Sequence, residues 1–173
     1  RHAAEDERVA PAAAPDARIL LVEDNPINAL LARTLLTREG CKVDHATGGD
    51  EALAALAVGS YDLILMDMRM PGMSGVEMHE ELVRRGRSMP VIYISGESTV
   101  PQSIAAMKLG AQDFLVKPFS REDLLKTVSA GIEKDRLQMR QMIAQARFEE
   151  ALQHLAPRER EVLELLIKGY KNN

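Results

Sequence analysis

An open α/β domain, with a parallel five-stranded sheet doubly wound by helices on both faces, is the fold class that the sequence predicts. From Arg18 onward a short apolar run, a polar loop and a segment of helical spacing recur in alternation. That order sets strands side by side in parallel with helices across both faces. The composition supplies an aliphatic core, since 46% of the 173 residues are hydrophobic, 28% are charged and none is Trp; this suits a folded domain. Strands are expected near 18–22, 42–46, 62–66, 90–94 and 113–116, with helices in the gaps. Pro26 and Pro101 fall where a first helical turn accepts proline, and Ser74 and Ser120 are N-cap candidates. Ser120 followed by Asp123 resembles a capping box.

The flanks read differently. Residues 1–16, rich in Ala, Pro and scattered charge, are expected to be a disordered linker or a remnant of a longer chain. The stretch 121–155 holds no Pro and only one Gly, Gly131, so the fifth helix is expected to run on as an extended C-terminal helix. Leu125, Val128, Ile132, Met139, Met142 and Ala146 follow three-and-four spacing, while Asp135 and Glu149 interrupt it. The pattern fits a coiled-coil seam and a solvated helix with a partial apolar stripe alike. A last amphipathic helix begins around Leu155, with Leu163, Leu166 and Ile167 on one side and Gly169 near its end. About eighteen residues cannot bury a core alone. The chain starts at Arg1 and stops at Asn173 in mid-pattern, and is expected to be a piece of a longer one. The expected divisions are 1–16, a domain over 17–134, a linker helix over 135–155 and a terminal segment over 156–173.

Charge and cysteine usage narrow the function. Lys+Arg 22 against Asp+Glu 26 gives a net charge of −4, without the basic excess that drives nucleic-acid affinity. A single cysteine, Cys41, forms neither an internal disulfide nor a thiolate cluster, which fits a reducing compartment. Apolar runs such as Ile19–Val22 and Leu63–Met66 are strand-sized, far short of a membrane span. A soluble, cytoplasmic protein is expected.

In open parallel sheets ligands bind outside the C-terminal ends of the strands. The first apolar run ends in Glu23-Asp24-Asn25, the third in Met66-Asp67-Met68-Arg69, the fourth in Ile94-Ser95-Gly96 and the fifth in Val116-Lys117-Pro118-Phe119. Three carboxylates, a hydroxyl and an ammonium are thus expected to converge. Two carboxylates about 4 Å apart repel by about 4 kcal/mol at an effective dielectric near 20, so a cation or protonation must relieve them. All-oxygen ligation suits Mg²⁺ or Mn²⁺ rather than Zn²⁺. Taken one at a time, Asp24 and Asp67 read equally well as helix caps or turn formers, and Ser95 and Lys117 as ordinary loop residues.

Taken together, Glu23-Asp24, Asp67 within DMRMPGMSG, Ser95 and Lys117-Pro118-Phe119 resemble the receiver domain of two-component response regulators. The resemblance implies a flavodoxin- or CheY-like sheet of strand order 2-1-3-4-5 and a phosphoacceptor at Asp67, charged by a histidine kinase. It implies Mg²⁺ held by Glu23, Asp24, Asp67 and the Arg69 carbonyl, with Glu23 acting through metal-bound water. Lys117 and Ser95 would hold phosphoryl oxygens, and Phe114 would be the switch aromatic, although its residue type also fits a plain core position. A cis Lys117–Pro118 bond and an output face over about residues 100–133 are implied as well. Such a protein is a phosphoacceptor that takes part in its own phosphotransfer and dephosphorylation, not an enzyme. Arg69 and Glu97, each two residues beyond a site residue, would either pair across the phosphate mouth and lengthen the phosphoryl lifetime or stand as two solvated charges.

The tail LAPREREVLELLIKGYKNN resembles the opening of a LuxR-type helix-turn-helix domain of FixJ- and NarL-like transcription factors. Ala156 stands where that family has a Thr N-cap, which should weaken the helix start. DNA contact would come only through helices beyond this chain, with a homodimer formed on activation. The dimer would form through helix four to helix five or through the linker helix. Two other classes fit less well. A haloacid-dehalogenase-like phosphatase needs a second Asp where Arg69 stands, and a flavin or nucleotide site would be repelled by Glu23-Asp24.

Overall fold

The computed structural model describes residues 15–96 and 100–170. Its elements run β1 (Arg18–Val22), α1 (Pro26–Arg38), β2 (Lys42–Ala46), α2 (Gly49–Val58), β3 (Leu63–Asp67), α3 (Gly75–Arg84), β4 (Val91–Ser95), α4 (Val100–Lys108), β5 (Asp113–Val116), α5 (Arg121–Gln153) and α6 (Pro157–Tyr170). The five strands are parallel and ordered β2-β1-β3-β4-β5. The chain divides into two compact units, one ending at Asp135 and the other starting at Arg136. No described helix is long and apolar enough to cross a membrane.

Successive strand side chains point to opposite faces, so each buried strand feeds two cores. Ile19, Leu21, Leu63, Leu65, Ile92, Ile94 and Leu115 meet α1 and α5. Leu20, Val22, Ile64, Met66, Val91 and Tyr93 meet α2, α3 and α4. This alternation also places the site. Glu23, Asp67 and Lys117 continue the parity of Leu21, Leu65 and Leu115, whereas Ser95 and Phe114 share the parity of Tyr93.

β3 and β4 lie one residue later than the apolar runs suggest. Asp67 pairs with Ile94 and Ser95 with Val116, which makes both the last residues of their strands. At the other end Asp62 stands before the strand, its carboxylate accepting the Arg18 N–H at 2.8 Å. A run buried on both faces shows where apolarity ends and not where pairing ends.

The starts of α1, α3 and α5 are closed by side chains. Asn25 Oδ1 accepts the N–H groups of Ile27 and Asn28 at 2.9 and 3.2 Å. Ser120 Oγ accepts the Asp123 N–H at 3.0 Å. Ser74 forms a full capping box with Glu77, each side chain accepting the other's backbone N–H. Ser74→Ala removes one of these two bonds at the helix that follows Asp67, and about 1 kcal/mol of stability is expected to go with it. Urea unfolding should show a lower midpoint at an unchanged slope.

The apolar stripe of α5 is not one seam. Leu125, Val128 and Ile132 are buried in the core shared with α1, and are therefore not coiled-coil positions. Gly131 lets this helix lie close to the sheet, since a Cβ there would meet Leu63 and Ile92 methyl carbons at 3.1 and 3.2 Å. In the second unit α5 is exposed from 136 to 151. At the start of α6, Glu159 accepts the Ala156 N–H at 2.9 Å, half of a capping box despite the missing hydroxyl.

Candidate functional site

Asp67 closes β3 and is 6% exposed; Glu23 follows β1 and is 1% exposed. Both carboxylates are met by one cation. Lys117 Nζ donates to Glu23 Oε2 at 2.9 Å and to Asp67 Oδ2 at 2.8 Å. The remaining oxygens are held by the backbone, with the Asn25 N–H donating to Glu23 Oε1 and the Arg69 N–H to Asp67 Oδ1, both at 3.0 Å. Asp24 is exposed beside them, and the three acidic residues bring a carboxylate oxygen each within 4.8 Å of one another. An all-oxygen set with this charge fits a hard divalent cation of the Mg²⁺ type.

One ammonium cannot neutralise this much negative charge. Burial raises the Glu23 carboxyl above its ordinary range, by more than Lys117 and the Asn25 N–H lower it, and Asp67 adds to the rise. Burial alone would lower Lys117, but its hydrogen bonds and charge contacts with Asp67 and Glu23 outweigh that and hold the ammonium above its ordinary value. The cation is thus locked in its charged form between two carboxylates. The Lys117–Pro118 peptide is cis.

Ser95 and Phe114 lie on the opposite parity. Ser95 ends β4, 5% exposed, and its Oγ has no hydrogen-bond partner among the described residues. Phe114 is half-buried in β5, in register with Tyr93. The Arg69 side chain is exposed, and Glu97 lies outside the described residues.

Comparison with known proteins shows the family of the domain that carries this acidic cluster. The family model for the response regulator receiver domain matches residues 19–129. The chain belongs to the response regulator receiver family. Transcriptional regulatory protein FixJ of Azorhizobium caulinodans is 38% identical over 150 residues, covering 87% of this chain and 71% of the relative. The solved response regulator StyR is 30% identical with a TM-score of 0.70, over 88% of this chain and 77% of that one. Full-length ShkA is 47% identical with a TM-score of 0.62, over 75% of this chain and 27% of its own.

Three further residues shape the receiver site. His45 Nε2 lies 2.7 Å from the Glu23 carbonyl oxygen, tying β2 to the acidic loop. Asn25 both caps α1 and donates its N–H to Glu23. Gly75 lies against the backbone at the end of β3, where a Cβ would stand 2.5 Å from the Asp67 carbonyl oxygen and 3.2 Å from Met68 Cα. Gly75 had a clue in the PGMSG loop and Asn25 in the Glu23-Asp24-Asn25 strand end, whereas His45 had none.

Proposed function

We propose that this receiver is phosphorylated at Asp67 by a phosphohistidine of its cognate histidine kinase, with Mg²⁺ held by Glu23, Asp24, Asp67 and the Arg69 carbonyl. The observation that carries this reading is the division of one ammonium, Lys117, between buried Glu23 and Asp67 with Asp24 alongside. An Asp67 oxygen attacks phosphorus, the P–N bond breaks, and its electron pair stays on the imidazole nitrogen, leaving an acyl phosphate. The metal supplies charge neutralisation on the transferring group. Lys117 exchanges its Asp67 contact for a phosphoryl oxygen. Ser95 Oγ, buried without a partner, is the donor free to turn toward another.

Phe114 follows Ser95 and alters the face of α4, β5 and α5. Val100, Ile104, Met107 and Val116 are exposed apolar side chains there, suited to a second copy of the chain. Phosphorylation shifts a two-state population toward the homodimer. Residues 17–134 would then act as the receiver, 135–155 as linker helix and 156–173 as the opening of a DNA-binding domain, in the bacterial cytoplasm. A transcriptional role is supported by the likeness to FixJ, a transcriptional regulatory protein.

Mass spectrometry after incubation with Mg²⁺ and acetyl phosphate tests the acceptor. One phosphoryl adduct is expected, lost on Mg²⁺ removal and in Asp67→Asn. An adduct that survives Asp67→Asn would move the acceptor elsewhere.

A further inference from the structure

Tyr93 is fully buried at the centre of β4, on the face of the sheet that meets α3 and α4. The apolar cluster it belongs to includes Met78, Leu82, Met66 and Ala106, whose side chains offer a phenol hydroxyl no strong partner. A hydroxyl stranded among them would be costly. The partner comes from α3, where the ring of His79, 4% exposed, places Nδ1 2.8 Å from the Tyr93 oxygen. Either tautomer makes the bond, with the O–H donating to Nδ1 or the Nδ1–H donating to the oxygen. Both arrangements fix the plane of the Tyr93 ring.

A face of that ring carries Phe114. The two rings stack with centroids 5.6 Å apart and planes 19° from parallel, and the residues are register partners across β4 and β5. His79 stands at 5.7 Å and 47° from the same ring. His79, Tyr93 and Phe114 therefore form a file of rings running from α3 to β5. Two residues past Tyr93, on the same face, lies the unpartnered Ser95 Oγ.

We infer that His79 and Tyr93 are positioning residues for the switch, their buried hydrogen bond holding Phe114 in its resting place and coupling α3 to the output face. This rests on the assignment of Phe114 as the aromatic that moves. A stacked pair stabilises one position of Phe114 only while the platform stays parallel to it. A Tyr93 ring released from α3 tilts, the stack weakens, and the alternative position of Phe114 gains population without any phosphoryl group. An aromatic stack is strong enough for that gain to reach about two- to tenfold.

Fluorine NMR reads this directly when 4-fluorophenylalanine is incorporated site-specifically at position 114 alone, so that Tyr93→Phe introduces no fluorine at position 93. The full chain is titrated with beryllofluoride, a phosphoryl mimic, in saturating Mg²⁺. In the parent the Phe114 resonance is expected to move on binding. In Tyr93→Phe, which keeps the ring and removes only the hydroxyl, the free protein's Phe114 resonance should start part-way to the bound position. The apparent dissociation constant should fall by about two- to tenfold. His79→Leu should do the same, and the double variant should match the single ones, because all three remove one bond. If both single variants lose stability while Phe114 and mimic affinity stay as in the parent, the bond is purely structural and the coupling is overturned. If the parent binds the mimic and Phe114 does not move, the switch assignment fails, and the coupling with it. If the parent binds no mimic, the receiver reading itself fails.

Discussion

Lys117→Met should lose about 3 kcal/mol of folding stability in the absence of divalent cation and regain most of it when Mg²⁺ is added. The methionine keeps the length of the aliphatic stem and removes only the charge, so packing is nearly conserved. What remains is Glu23 at 1% exposure and Asp67 at 6%, with carboxylate oxygens within 4.8 Å and no cation between them. Two such charges repel by about 3.5 kcal/mol at an effective dielectric near 20. Breaking a buried pair by deleting one partner leaves the other charge uncompensated, which is the costly direction. A divalent cation bound by the same oxygens replaces the missing ammonium, and a ligand at about a hundred times its dissociation constant contributes about 2.7 kcal/mol. Urea midpoints with EDTA and with Mg²⁺ decide the matter. The parent should respond weakly to Mg²⁺, because Lys117 already occupies one oxygen of Glu23 and one of Asp67. An equal loss in both conditions would assign the effect to packing and remove the electrostatic account. Phosphorylation by acetyl phosphate should fall in the same variant even when Mg²⁺ has restored its stability, since the phosphoryl oxygen proposed to meet Lys117 then lacks that cation.

What the sequence made legible follows from periodicity and from position. Strands such as Ile19–Val22 are short apolar runs set between helical segments, and that rhythm alone announces a parallel sheet with two cores. The site residues were legible because the fold puts strand ends together, so Glu23, Asp67 and Lys117 needed only to be read at the ends of their runs. Their parity on the pleat then explains why these three meet while Ser95 and Phe114 face the other helix layer. Partners that meet across long sequence separations gave no such signal. His45 reaches the Glu23 carbonyl across 22 residues and His79 reaches Tyr93 across 14, and each reads in sequence as a lone histidine in an element. The stripe on α5 was ambiguous for a physical reason. Three-and-four spacing says that a face is apolar and not what covers it, and Leu125, Val128 and Ile132 are covered by the core while Met139 and Met142 are exposed.

Gly75→Ala should impair phosphorylation more than its size suggests. The residue opens α3 just after the capping Ser74, so an alanine there suits helix propensity and, in an open helix, would stabilise. Here the space is already filled by backbone. A methyl carbon on Gly75 would lie 2.5 Å from the Asp67 carbonyl oxygen and 3.3 Å from its carbonyl carbon, distances that no rotamer change relieves. Either α3 moves off the sheet or the end of β3 moves away from α3. The first route strains the contacts of Met78 and Leu82 with the core, and the second displaces Asp67 from Lys117 and from the Arg69 N–H. Overpacking of this kind costs about 1–3 kcal/mol, partly offset by the helix propensity of Ala. The chemical effect should be larger than the thermodynamic one, because a reacting carboxylate shifted by about 1 Å loses on the order of a hundredfold in rate. Stopped-time mass spectrometry with acetyl phosphate, run beside urea unfolding, separates the two. A variant that is folded yet phosphorylates on the order of a hundredfold slower places the cost at Asp67. If the rate stays within about threefold of the parent while stability falls, α3 has yielded instead, and Gly75 serves helix packing rather than the acceptor.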